Sequence, residues 1–232
     1  MRDHSPMHGP SCLTRPFRPV LVGVACLAVA ACAGEVPAVA PALILLPEPV
    51  ATAAPLPGGD AALRRLHFRD RHGEGLLVLE RRSETLEHAD SGEVLDVVVL
   101  TAQMHARPGP HTVWSRQWHR QIRQPCAGLD LDAGWLLEHV GVTDLDGDGQ
   151  AEITLASRTF CGGGGDPHQL HVSLIDGGTR YGIEGDAGVS LPGEEPRGGE
   201  RHDSANLAAA PAPFVQHLDA LWAAVRAQPI TM

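Results

Sequence analysis

The sequence predicts a mostly-β, α+β domain: an antiparallel sheet of short hairpins closed by one C-terminal amphipathic helix. Three observations predict it. Between Leu63 and Ile183, short runs rich in β-branched residues alternate with turn residues. Gly-containing pairs fall between those runs where hairpin turns need them. Near the C terminus, apolar residues then recur every three or four positions, the period of a helix with one buried face.

Taken in order, Arg64–Asp70 and Leu76–Arg82 flank His72-Gly-Glu-Gly75 and read as a first hairpin. Val94–Met104 is a dense β-branched strand, and Arg107-Pro-Gly-Pro110 turns the chain back. The returning strand places Trp114, Trp118 and Ile122 at even spacing, with Ser115, Gln117 and His119 on the opposite face. That stripe reads as core; the alternative is an aromatic platform for stacking a sugar. Leu136–Val142 leads into an acidic loop and Ile153–Phe160 leads out. Leu170–Ile175 and Arg180–Ile183 form a further hairpin across Asp176-Gly-Gly178, and the Gly-, Pro- and Glu-rich stretch 186–205 reads as loose. Phe214, Leu218, Leu221, Trp222 and Val225 form the apolar face of the helix, with Pro213 suited to its first turn.

The chemistry concentrates in Asp144-Leu-Asp-Gly-Asp-Gly-Gln-Ala-Glu152. Asp144, Asp146 and Asp148 occupy the first, third and fifth positions of a calcium-type loop, and Gly149 is at the sixth. A hard divalent cation takes six to eight oxygens at short range, and alternating acids on a curling backbone supply them. The predicted ligands are Asp144, Asp146, Asp148, the backbone carbonyl of Gln150, and Glu152. An EF-hand requires a bidentate Glu at the twelfth position, where this chain has Leu155, and the flanking residues alternate as strands. The expectation is a strand–loop–strand site with a structural Ca²⁺; the alternative is a metal-free turn stabilised by Asp side chains.

The ends of the chain suggest its destination. Arg2, Arg15 and Arg18 precede an apolar run from Val20 to Ala31, the length of a signal h-region and too short to span a bilayer. The run ends Val29-Ala30-Ala31-Cys32, which reads as a lipoprotein-type signal over residues 1–31 with lipidation of Cys32; the alternative is plain secretion. Residues 32–60, with Pro37, Pro41, Pro47, Pro49, Pro55 and Pro57, read as an Ala/Pro-rich tether, with Leu43-Ile-Leu-Leu46 as an alternative edge strand. Residues 61–228 then make one β-rich domain. With Cys12 and Cys26 in the signal, Cys126 and Cys161 remain as an even pair for an oxidising compartment. Their disulfide is expected to staple the two strands that carry the acidic loop; a Cys/His metal or nucleophile site is the alternative.

All 18 basic residues are Arg, which excludes Schiff-base and P-loop lysine chemistry. The net charge of −10 argues against nucleic acid and polybasic membrane binding. No Gly-x-Ser-x-Gly elbow is present, and the glycines after Cys161 lack the Gly-Lys ending of a phosphate loop. His168 and His171 are expected on opposite sides of a strand. His105, His111 and His119 could in principle form a transition-metal site, with surface histidines as the alternative.

The run Gly141–Thr154 locally resembles the calcium loops of FG-GAP and VCBS-type repeats, although only one copy is present. A resemblance over roughly residues 90–225 is to small bacterial envelope proteins labelled surface polysaccharide biosynthesis proteins. Its elements are Trp114 to Trp118, Cys126, Thr143–Glu152, Cys161 and Arg180-Tyr-Gly-Ile-Glu-Gly185. The chain departs from it in having Gly162–Gly165 and Asp166-Pro167 where that family has Ser-Pro. The resemblance implies a cell-envelope setting, on the outer membrane or the periplasmic face, and polysaccharide or its assembly proteins as partners. The function expected is a non-enzymatic, lipid-anchored accessory or binding module. The alternative is a carboxylate-dependent, glycoside hydrolase-like enzyme, for which Glu138 and Glu152 would have to converge on one bond.

Overall fold

The computed structural model describes residues 42–49, 56–87, 92–163, 165–189, 193, 195 and 197–227. The predicted signal segment, the lipidation site Cys32 and most of the tether lie outside the described residues. Two antiparallel sheets face each other, and one helix covers the far side of the second sheet.

The first sheet is a meander in sequence order: β1 (Ile44–Leu46), β2 (Ala62–Asp70), β3 (Gly73–Glu87), β4 (Val94–Arg107) and β5 (Ser115–Cys126). Its spine is the β3–β4 hairpin, paired continuously from Glu74↔Arg107 to Glu87↔Val94. The second sheet contains β6 (Asp130–Trp135), β7 (Gly141–Thr143), β8 (Glu152–Gly162), β9 (Gln169–Asp176), β10 (Thr179–Asp186) and β11 (Arg201–Asp203). Its order is β11-β10-β9-β8-β6, and β7 pairs with β8 beside the loop end of that strand.

Strand alternation builds both cores. Phe68, Leu77, Leu79 and Leu100 of the first sheet meet Ile153, Leu155 and Ile175 of the second. Residues alternating with these, Ala156 of β8 and Leu170, Val172 and Leu174 of β9, face the helix instead. Helix α1 (Ala212–Arg226) lays Phe214, Leu218, Leu221, Trp222 and Val225 on them, as the sequence period predicts. Each such large side chain contributes roughly 1.5–3 kcal/mol on burial. Pro213 costs the first turn nothing because its missing N–H would have had no helical partner, and Arg226 places positive charge in the last turn.

The structure corrects several boundaries. The first turn is Arg71-His72, and Gly73, Glu74 and Gly75 belong to β3. Within the predicted tether, Ile44–Leu46 pairs with Arg69–His67, so the edge-strand alternative holds there. Residues 137–139 form a 3-10 turn, and Arg201–Asp203 of the stretch read as loose pair with β10. The aromatic stripe divides. Trp118 pairs with Met104 but Arg116 with His105, leaving Gln117 as an extra, bulged residue that breaks the alternation. Trp118 and Ile122 pack on the inter-sheet core, whereas Trp114 sits beside His67 and under the Arg107 guanidinium.

The Cys126–Cys161 disulfide is present, with Cα atoms 5.4 Å apart. Cys126 ends β5 in the first sheet and Cys161 lies in β8 of the second. The bond therefore fastens one sheet to the other rather than joining the two strands that carry the acidic loop. Closing a span of 35 residues contributes about 3–4 kcal/mol on the chain-entropy estimate.

At the opposite end of the first sheet, Glu74 is only 4% exposed. Burial alone would raise its pKa. Hydrogen bonds from Arg69 Nη2 (2.9 Å), Arg107 Nε (2.8 Å) and His67 Nε2 (3.3 Å) outweigh that and bring it down to about 2. A carboxylate with a lowered folded pKa adds stability that is present above about pH 4.5 and lost as the pH falls toward 2. Glu74→Gln should therefore lose about 3 kcal/mol at neutral pH and flatten the loss between pH 5 and 2. Denaturant unfolding of both proteins across that range reads the difference; parallel curves would exclude this role for Glu74.

Candidate metal centre and adjoining cavity

The acidic loop is the connection between β7 and β8, held in register by Gly141↔Thr154 and Thr143↔Glu152. It curls because Gly147 and Gly149 take φ of 76° and 82°, left-handed values that side chains with a Cβ resist. Asp side chains then bind the loop's own amides. Gly149 N donates to Asp144 Oδ2 (3.1 Å), Asp148 N to Asp146 Oδ1 (3.2 Å) and Gln150 N to Asp148 Oδ1 (2.7 Å). These are turn bonds typical of Asp, and they aim the carboxylates inward.

Asp144, Asp146, Asp148 and Glu152 each bring an oxygen to within 4.8 Å of the others. This group could hold a metal ion. Glu152 is the buried wall of the site at 0% exposed. Its Oε2 accepts from Leu145 N (2.6 Å), while Oε1 is buried with no partner, as is Asp144 Oδ1. Burial first, and then the charges of Asp146, Asp144 and Asp176, push the Glu152 pKa up to about 7 despite the Leu145 bond. Two orphaned acceptors facing one another's charge are the condition a cation would relieve.

The loop is clamped from the first sheet by the β2–β3 turn. Arg71 N donates to Gly149 O (2.8 Å), its guanidinium donates to Asp148 O (2.9 Å), and it pairs with Asp148 Oδ2 (3.0 Å). Asp70 accepts from the amides of His72 (2.8 Å) and Ala151 (3.1 Å). The Gln150 side chain accepts from Arg71, hydrogen-bonds His72 Nε2 (2.9 Å) and donates to Asp176 in the β9–β10 turn. Asp70, Arg71, His72 and Asp176 were not legible as site residues, since they lie about 80 and 26 positions from Gln150 in the chain. Behind the clamp, a cavity of about 480 Å³ opens between the sheets, with Phe68, Trp118, Gln150 and Ile175 among its walls.

Other predicted candidates are not assembled. Glu138 is exposed and pairs with His139, whereas Glu152 is fully buried in the acidic group. Among the described residues, His105, His111 and His119 form no metal-ligating group. His168 is buried and stacks on Phe160, 4.3 Å between ring centroids, and burial lowers its pKa and that of His171. After Cys161, Gly163 N donates to Asp166 Oδ2, so a carboxylate occupies the position that an anion would need. Comparison with models of protein families, with curated proteins and with solved structures returns no match.

The clamp predicts a stability effect remote from the acids. Asp70→Ala strands the amides of His72 and Ala151 and should cost about 1–3 kcal/mol. Hydrogen exchange should show both amides losing protection; unchanged exchange at Ala151 would exclude the clamp.

Proposed function

We propose that the protein is an exported, lipid-anchored envelope protein whose acidic loop holds a structural Ca²⁺, serving as a non-enzymatic accessory or binding module in surface polysaccharide assembly. The observation that carries the metal reading is the pair of buried, unpartnered oxygens, Asp144 Oδ1 and Glu152 Oε1, inside the four-carboxylate group. Calcium suits it better than magnesium. An all-protein cage of oxygens on an adaptable loop matches a large ion, whereas Mg²⁺ keeps several waters and demands octahedral regularity. Asp144, Asp146, Asp148 and Glu152 would supply carboxylate oxygens and Gln150 its carbonyl. Complete burial of Glu152 supports a ligand role over contact with a substrate.

Anchorage through Cys32 is supported by the small residues before it and the apolar run from Val20. A disulfide between the two sheets is in keeping with an oxidising compartment. The polysaccharide link rests on the family resemblance.

Thermal melting with Ca²⁺ and with chelator tests the metal. Saturating Ca²⁺ at a hundred times Kd should stabilise the wild type by about 2.7 kcal/mol. Asp146→Ala/Asp148→Ala should melt alike in both. If the wild type also melts alike in both, the calcium reading fails. For the anchor, Cys32→Ser should move the protein from the membrane to the soluble fraction and remove the lipid mass; a soluble wild type would refute it.

A further inference from the structure

We infer that the cavity between the sheets is a binding site for a neutral sugar ring. The hollow is built into the strands. On β3 and β4, the inward positions occupied at mid-sheet by Leu77, Leu79 and Leu100 are filled at this end by the paired Gly75 and Ala106. Gly75 cannot be enlarged, because a Cβ there would lie 2.2 Å from the Phe68 ring. The volume, about 480 Å³, falls in the range of small-molecule sites.

Its lining selects among ligand classes. Phe68, Met104, Trp118, Ile153 and Ile175 give an apolar floor. Asp70, His72, Gln117 and Gln150 give a polar rim. The Gln117 amide nitrogen donates to Ser115, which leaves its carbonyl oxygen for a guest. Among the described residues at this rim an anion finds no uncommitted guanidinium. Arg71 is committed to Asp148, and Arg69 and Arg107 to Glu74. A cation finds the lining carboxylates engaged: Asp70 by two amides, and Glu74 by Arg69, Arg107 and His67. A wholly apolar guest would bury the Gln117 carbonyl oxygen without a partner. A neutral hydroxylated ring satisfies both parts, with its C–H face on Trp118 and its hydroxyls on the amide and carboxylate oxygens.

The inference deepens the binding-module reading and does not depend on calcium occupying the loop. It is tested on the full-length protein in a sugar-free detergent, using calorimetry and saturation-transfer NMR with cellobiose, maltose and N,N′-diacetylchitobiose, and with cyclohexanol as the apolar probe. At least one disaccharide should bind saturably, in preference to cyclohexanol. Ala106→Leu, which fills the hollow, and Trp118→Ala should each weaken it by about tenfold or more. A melting curve for each variant confirms that it folds. Binding of none of the three sugars, binding of cyclohexanol alone, or sugar affinity unchanged in a folded Ala106→Leu would overturn the assignment. Calcium titration of the same sample separates the two readings: Ca²⁺ binding without sugar binding defeats only this one.

Discussion

The contact of the Arg71 amide with the Gly149 carbonyl, flanked by Asp70 accepting from Ala151, is the join on which the acidic loop and the adjoining cavity depend. It crosses from one sheet to the other at the mouth of the core. Without it the acidic loop would be a free hairpin tip, and the cavity would lack the wall that Gln150 and Ala151 provide. The disulfide makes the corresponding join at the far end, since Cys126 pairs with Asp96 at the start of β4 and the cavity is lined from Met104 and Ala106 near its close. The two sheets are thus fixed at both ends, covalently at one and by hydrogen bonds at the other.

Charge at this end is arranged by geometry rather than by neutralisation. Arg71 satisfies two carbonyl groups and a carboxylate at once, which a planar guanidinium can do and an ammonium does poorly. Glu74 shows the same use of arginine in a buried setting, with Arg69 and Arg107 holding it ionised. Glu152 is the opposite case: buried among acids and given a single amide, it is held toward its neutral form. Of the two buried glutamates, Glu74 is held ionised by arginines and Glu152 belongs to an acidic group that could hold a metal ion.

Much of the architecture was legible because local pattern and tertiary role coincide. The helix from Ala212 to Arg226 buries the five residues its period selects, and the Asp176-Gly-Gly178 turn joins β9 to β10 as its glycines require. The carboxylates were legible too, since their spacing alone places them on one curl of backbone. What failed was long-range or depended on a single irregularity. Nothing near Cys126 says that β5 and β8 belong to different sheets. One bulged residue, Gln117, parts Trp114 from Trp118, and even spacing carries no sign of it. The clamp residues Asp70 and Arg71 read as ordinary turn polar residues because their partners are supplied by the second sheet.

The sequential strand order has a consequence for how the molecule comes into being. Every neighbour pair in the first sheet is a nearest neighbour along the chain, so a polypeptide emerging N terminus first can complete that sheet before β6 exists. That order would give the second sheet and helix a template whose inner face is apolar. Only the last of these steps brings Cys161 to Cys126 and the acidic loop to Arg71. In that order both fastenings close only after the first sheet is complete.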